Sequence, residues 1–445
     1  METVIKKKRH FSSFQTIILG FMGVILLGTL LLMMPVSSAD KVVTPFNEAL
    51  FTATSAVCVT GLIVQDTATY WSTFGQVIII LLIQIGGLGV VTVAAALQLL
   101  SGRKISLMQR STMQEAISAQ NVGGIVKLTG FVLKATFLFE LLGAFAMMPV
   151  FCKDFGAKGI WMAFFHSISA FCNAGFDLLG KPDALFPSLT GYIGNPLLNI
   201  VIMLLIILGG LGFLTWEDVY SNKHHFSKYR MQSKVIFVTT GILLVVPAVF
   251  FFLYDFADMP MGERILSSLF QSVTARTAGF NTANLAEMTG VGQAIMIVLM
   301  LIGGSPGSTA GGMKTTTIAV LVANAFATFG RKDDAEFFKR RIDGTVVKNA
   351  STILMMYVSL FVTGACIISV VEGLPLSDCL FETGSAVATV GLTLGMTPDL
   401  GIVSQIVLIV LMFLGRVGGL TLIYAALPGV NRKLSKLPQE RITVG

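Results

Sequence analysis

Apolar residues run along this chain in blocks of about 20 or more, long enough to cross a hydrocarbon core of about 30 Å. The clearest blocks occupy residues 14–34, 74–100, 195–214, 234–253, 349–371 and 402–427. Between them lie weaker apolar stretches of about a dozen residues, such as residues 45–57, which are too short to cross. The alternation predicts a spanning helix, a half-membrane helix and a second spanning helix.

Each short stretch ends in small and hydroxyl residues closed by a glycine, and this happens four times. The first copy is Val57, Cys58, Val59, Thr60, Gly61, and the second is Phe171, Cys172, Asn173, Ala174, Gly175. The third is Ala275, Arg276, Thr277, Ala278, Gly279, and the fourth is Ala388, Thr389, Val390, Gly391. A second glycine cluster follows each: IQIGGLG from Ile83, IILGGLG from Ile206, MLIGGSPG from Met300 and MFLGRVGG from Met412. The period is about 110 residues. Four re-entrant turns of this kind can surround one axis and line it with backbone carbonyls, which is how a cation filter is built.

The local chemistry agrees. Thr44, Pro45 and Glu48 are residues that helix starts prefer. A half-membrane helix entering from outside points its negative end at the membrane centre; four such ends about 8 Å from a cation contribute roughly 1 kcal/mol each. Gly61, Gly175, Gly279 and Gly391 are placed to turn the chain back extended with positive φ and carbonyls aimed inward. Taken singly, each reads equally well as an ordinary helix end; four at matching offsets favour a shared role. Backbone carbonyls are expected to coordinate, with the side chains of Thr60, Asn173, Thr277 and Thr389 bracing them. Cys58 and Cys172 are expected to pack at the base of the ring, a thiol being a poor ligand for a hard cation.

Composition places the chain in a bilayer: 54% hydrophobic, 12% charged, mean hydropathy +0.80. The net charge of +7 invites a nucleic-acid reading, but the basic residues cluster at 6–9, 103–110, 223–234, 331–341 and 432–441. The intervening loops instead carry acids such as Asp40, Glu48, Asp177, Asp255 and Asp399. That is a positive-inside pattern with both termini cytoplasmic and eight spans, and it leaves nucleic acid no role. The five cysteines show neither a disulfide framework nor metal-ligand spacing. The first apolar run lacks a cleavage site and is expected to remain as a span.

The sixth span is interrupted by Gly303, Gly304, Ser305, Pro306, Gly307, Ser308, Thr309, Ala310, Gly311, Gly312, Met313 and Lys314. Such a run cannot continue a regular helix, so at membrane depth it faces protein or a water-filled cavity, or else marks a kinked packing helix. Gly307, Gly312 and Lys314 nearly fit a phosphate-binding loop, but Met313 breaks the pattern and no strand precedes it. Arg416 stands between apolar runs and must face the interior or a carbonyl cluster, either toward the pore beneath the glycine ring, where it would help hold the interrupted run, or in a salt bridge within the bundle. Blander roles are expected for Glu140 (a partner on a neighbouring helix, or the membrane boundary), for Glu217, Asp218, His224 and His225 (a solvated end), and for His166 (packed on the second short helix). No catalytic triad or carboxylate pair is present, so the chain is not expected to be an enzyme.

With its four glycine turns, TARTAGFN from Thr274, the interrupted sixth span and GRVGGLT from Gly415, the chain resembles the Ktr, Trk and HKT superfamily of potassium transporters over essentially its whole length. It is most similar to the bacterial Ktr membrane subunit; Trk relatives usually carry extra N-terminal spans. The resemblance implies an all-α integral membrane protein. It has four M1-P-M2 repeats, eight transmembrane helices plus four re-entrant pore helices, around one pseudo-fourfold pore. The repeats fall at residues 14–110, 111–222, 223–341 (with the loop 303–314) and 342–427, between cytoplasmic tails 1–13 and 428–445. It assigns one filter glycine to each repeat, with potassium at the filter. Glycine rather than serine at Gly61 implies selectivity for potassium. It makes the loop an intramembrane gate of Gly303, Gly304, Ser305, Gly307, Ser308, Thr309, Gly311, Gly312 and Lys314, with Arg416 beside it. It further implies a homodimer with contacts near Gly445, and a cytosolic nucleotide-binding ring as regulatory partner, docked on residues 223–234 and 331–341. ATP or ADP would act only through that ring, and no cofactor is expected in this chain.

The function expected is therefore channel-like potassium conduction at the plasma membrane, with sodium either carried or modulatory. A sodium- or proton-coupled secondary transporter is the alternative, although its mark would be inverted rather than parallel repeats. A scaffold or receptor would need no matched turns.

Overall fold

The computed structural model describes residues 12–101, 105–117 and 124–418. The basic stretches 6–9 and 432–441, the tail 428–445, the end of the 402–427 run and Gly445 lie outside the described residues.

Sixteen helices are found among the described residues, in the order α1 Ser13–Leu32, α2 Phe46–Cys58, α3 Thr73–Leu88, α4 Val90–Leu100, α5 Leu107–Ile117, α6 Ile125–Phe155, α7 Lys158–Phe171, α8 Pro196–Leu211, α9 Phe213–Asn222, α10 Met231–Phe250, α11 Met261–Thr274, α12 Gly290–Leu301, α13 Thr315–Phe329, α14 Gly344–Glu372, α15 Leu376–Ala388 and α16 Ile402–Val417. One two-stranded ribbon pairs Glu336–Phe337 with Arg340–Arg341. The fold is helical and built for a membrane. By length and composition α1, α6, α14 and α10 with its π turn to Asp255 are long and apolar enough to cross, and up to six spans result if each bent pair counts as one.

Local sequence explains the helix limits. Ser12 and Gln15 close a capping box on α1, and Ser72, Asn195 and Thr289 cap α3, α8 and α12 with their side-chain oxygens. Asp343 caps α14 through the Thr345 N–H at 2.7 Å; the Thr345 hydroxyl, at 2.6 Å, and then that N–H hold its carboxyl below the ordinary range.

Two of the expected unbroken runs are not single helices. Residues 74–100 and 195–214 each bend by 95°, at Gly89 between α3 and α4 and at Gly212 between α8 and α9. Their φ values of +85° and +92° belong to a region that L residues rarely enter, and Gly418 ends α16 with φ +88°. The glycine clusters therefore stop helices at three places besides the interrupted run at 302–314.

The short helices α2, α7 and α15 are mostly buried, and α11 is buried over its C-terminal half. Phe51, Phe165, Phe270 and Phe381 are each at most 1% exposed, and they fix these helices among the longer ones. Leu27, Leu30, Phe137, Leu142, Val245, Val246, Met355 and Val370 point outward from α1, α6, α10 and α14, as lipid-facing helices require.

Candidate functional site

The four turn glycines meet. A Cβ built on Gly61 would fall on the carbonyl oxygen of Ala174, and one on Gly175 would lie 2.8 Å from that of Ala278. One on Gly279 would lie 2.5 Å from that of Val390, and one on Gly391 would fall on that of Thr60. The contacts run in chain order and close on themselves, each glycine against the residue that precedes the next glycine. Four backbone segments thus surround one axis, and any side chain at these positions would collide with a carbonyl.

The backbone alternates to achieve this. All four glycines have positive φ (+96°, +71°, +83° and +90°), and so do Val59, Asn173, Thr277 and Thr389, two residues earlier in each segment (56°, 60°, 69° and 54°). The glycines take the positive φ expected of them, and each is paired with a second positive-φ residue two positions earlier that residue type does not announce. Each non-glycine left-handed residue costs about 1–2 kcal/mol, so strain of this size repeated four times is held by the surrounding structure.

What holds it is hydroxyls behind the ring, not those within it. The Thr60 and Gly61 N–H groups donate to the Ser55 carbonyl at 2.8 Å and to its hydroxyl at 3.0 Å. Val390 and Gly391 use Ser385 in the same way, at 2.8 and 3.0 Å. Ser169 donates its hydroxyl to the Phe176 carbonyl at 2.7 Å, and Thr274 donates to the Phe280 carbonyl. The expected braces Thr60, Thr277 and Thr389 instead have buried hydroxyls with no hydrogen-bond partner among the described residues. Ser55, Ser169 and Ser385 share one offset, which is the sequence signal for this brace: each stands six residues before the glycine. In the third segment Thr274 stands five before it.

The second glycine clusters also gain a reason. A Cβ on Gly86, Gly209 or Gly415 would strike the carbonyl of Val57, Phe171 or Val387, the C-terminal ends of α2, α7 and α15. These glycines let α3, α8 and α16 press against the short helices directly. Cys58 is fully buried, and Cys172 lies against Gly87 with its Sγ 3.7 Å from Gln84 Oε1 and 3.9 Å from Glu140 Oε1. Glu140 is 4% exposed and faces α7 from within α6, not the membrane boundary. His166 Nδ1 pairs with the Met162 carbonyl at 2.7 Å, packed against Phe151. Asp218 is a correction: far from solvated, it is 2% exposed and accepts from the Arg230 N–H at 2.8 Å, just ahead of α10.

Residues 302–314 form a loop against the helix ends below the ring. The N–H groups of Ser305 and Thr309 donate to the carbonyls of Gly210 and Gly209 at 2.9 and 3.2 Å, and the Phe213 N–H donates to Gly307 at 2.7 Å. Gly303 and Thr315 zip the loop to itself through Met313 and Gly304, at 2.8 and 3.0 Å. Ser308 donates to the Ser305 carbonyl at 2.7 Å, and Ser305 pairs with the Thr315 hydroxyl at 3.1 Å. Gly311 and Gly312 lie under the fourth segment, where Cβ atoms would meet Thr389 and Ala388. Lys314 Nζ donates to the Ala310 carbonyl at 2.8 Å.

Arg416 joins the loop to the first segment's helix. Its guanidinium donates to the carbonyls of Thr309 and Gly86, and to that of Gly87 at 3.2 Å. It makes no salt bridge among the described residues. Arg416, Lys314, Gly307 and Gly312 line a cavity of about 240 Å³ together with Glu115 and Ile117 of α5. Five free cysteines and no cluster of three or more potential metal ligands are found among the described residues.

Residues 6–432 match the family described as TrkH, cation transport protein. The chain is 40% identical over 457 residues to the potassium/sodium uptake protein NtpJ of Enterococcus hirae, covering all of both chains. It is 35% identical to the Ktr system potassium uptake protein B of Bacillus subtilis, covering 95% of each. In structure it is similar to the potassium transporter TrkH from Vibrio parahaemolyticus, with a TM-score of 0.75 at 19% identity, covering 95% of this chain and 86% of that one.

Proposed function

The chain belongs to the TrkH family of cation transport proteins, and from that premise we propose that it is the potassium-translocating subunit of a bacterial uptake system. The observation that carries the reading is the closed ring of Gly61, Gly175, Gly279 and Gly391. The carbonyls of Thr60, Ala174, Ala278 and Val390 abut it, and four short helices end at Cys58, Phe171, Thr274 and Ala388, just before it. Oxygens in this arrangement replace the hydration shell of a cation, and the helix ends add negative potential.

In this reading the repeats 14–110, 111–222, 223–341 and 342–427 each supply a spanning helix, a pore helix and a second spanning helix around one pore. A dehydrated potassium ion passes the ring and meets the loop 303–314, with Lys314 and Arg416 alongside. Seated loop and fixed positive charge both oppose passage, so the state described is one of restricted flow. Both termini are cytoplasmic, and the chain works as a homodimer. Relatives named as parts of Ktr systems support a separate regulatory subunit. That subunit is a cytosolic nucleotide-binding ring, the only place where ATP or ADP enters.

The test is cation flux into proteoliposomes holding the purified chain alone, comparing potassium, rubidium and sodium with a Gly61→Ser variant. Potassium and rubidium flux that loses selectivity in the variant is expected. The Enterococcus relative's name, potassium/sodium uptake protein, favours a second reading in which sodium is also carried. Flux that appears only with a sodium or proton gradient would replace conduction by coupled transport.

A further inference from the structure

Asn173 occupies the position held by Val59, Thr277 and Thr389 in the other segments and shares their left-handed backbone. Its side chain does what theirs do not. The amide nitrogen donates to the Arg276 carbonyl of the next segment at 3.4 Å. The amide oxygen accepts from the Thr309 hydroxyl at 3.2 Å, and the same hydroxyl reaches the Phe171 carbonyl at 3.1 Å. Asn173 and Thr309 are both fully buried.

Thr309 is clamped from three sides. Its N–H donates to the Gly209 carbonyl at 3.2 Å, its carbonyl accepts from Arg416, and its hydroxyl holds Asn173. Gly209 makes the junction possible, because a Cβ there would lie 2.7 Å from Asn173 Oδ1 and 2.8 Å from Thr309 Oγ1. One chain of contacts therefore runs from the loop through Thr309 and Asn173 to Arg276, three residues before Gly279.

We infer that Asn173 is a specificity-determining positioning residue that makes the ring's selectivity depend on whether the loop 303–314 is seated; the inference rests on the filter reading above. A ring that selects cations by size does so through how firmly its carbonyls keep their places. With the loop seated, the amide ties the second segment to the third. A loop displaced to pass an ion takes Thr309 with it and leaves the tie without its anchor. Asparagine suits the position because it enters the left-handed region more readily than other L residues, and because its amide donates and accepts at once.

The test measures potassium and sodium flux separately in proteoliposomes of the wild type, Asn173→Gly, Thr309→Val, Thr309→Ser and the Asn173→Gly/Thr309→Val double variant. Glycine keeps the positive φ and removes only the amide; valine keeps threonine's shape and removes only the hydroxyl. Each of Asn173→Gly and Thr309→Val is expected to lower the potassium-to-sodium flux ratio by about three- to tenfold, the factor one net hydrogen bond supports. The double variant should fall no further than the worse single variant, and Thr309→Ser should keep the wild-type ratio. An unchanged ratio in Thr309→Val, whatever its rate, overturns the inference, as does a double variant in which the two effects multiply. If Asn173→Gly does not fold, the valine and serine variants of Thr309 decide alone. A folded wild type without potassium flux overturns the filter reading and this inference together, whereas wild-type flux with an intact ratio in Thr309→Val overturns the inference only.

Discussion

Arg416 stands where the other three glycine clusters have Gly87, Gly210 and Gly304. Gly87 packs against Cys172 and Gly304 against Ala310 and Ser308, so neither position has room for a side chain, and the guanidinium enters from the fourth segment alone. It binds three carbonyls, two on α3 and one on the loop; on the proposed reading it is both a clasp and a fixed charge on the ion path. At about 7 Å from a passing cation, one unit charge raises the barrier by roughly 2 kcal/mol with an effective dielectric near 20. Arg416→Ala should therefore raise potassium flux by at least about tenfold. Arg416→Lys should restore most of the block by charge, but less of the clasp, since an ammonium does not fork between carbonyls. Rates for the two variants in proteoliposomes check this, and unchanged flux in a well-folded Arg416→Ala protein contradicts it. The charge inside an apolar run was legible in the sequence. Carbonyl partners were also expected of a guanidinium with no acid nearby; which carbonyls they are was not legible, because carbonyls leave no mark in residue type.

At the scale of elements, the short helices and glycine turns were readable because each obeys a local rule: an apolar stretch too short to cross, closed by a glycine. The bends were not, because GGLG reads the same whether the helix runs on or stops. Position decides. Gly86 and Gly209 press on the ends of the short helices, and the chain then turns away at Gly89 and Gly212. The bracing serines stayed hidden for a related reason, since a serine one and a half turns before a glycine has no local signature. The two bends make different predictions. A Cβ on Gly89 meets nothing nearer than 3.8 Å, so Gly89→Ala suffers backbone strain alone, about 1–3 kcal/mol. A Cβ on Gly212 would lie 2.5 Å from the Pro306 carbonyl, so Gly212→Ala adds a collision with the loop. Both should lower the thermal midpoint in detergent, Gly212→Ala the more. Only Gly212→Ala should raise potassium flux, because only there does the added methyl push the loop from its seat. Equal flux changes in the two variants would show that the bend itself, rather than the loop contact, limits passage.

Across the whole molecule, the period of about 110 residues marks a unit that cannot complete its site alone, since each glycine packs against the segment of the next unit. The ring is consequently cyclic but unequal. The third segment breaks register: Thr274 replaces the serine at a different offset, and Arg276 is buried beside it. Crowding differs as well. Gly175 has the most room, its Cβ position 2.8 Å from the nearest carbonyl oxygen; Gly279 has 2.5 Å; Gly61 has less, and Gly391 the least. Contacts below about 3 Å cannot persist, so each substitution moves a ring carbonyl by an amount set by that shortfall. Serine at these four positions should therefore degrade potassium selectivity in the order Gly391, Gly61, Gly279, Gly175, most to least. If four single variants, measured as potassium-to-sodium flux ratios under one ion gradient, lose selectivity equally, the ring responds as a rigid unit and packing inequality has no functional weight. If they follow the order given, selectivity is set carbonyl by carbonyl, and each of the four segments carries its own share of it.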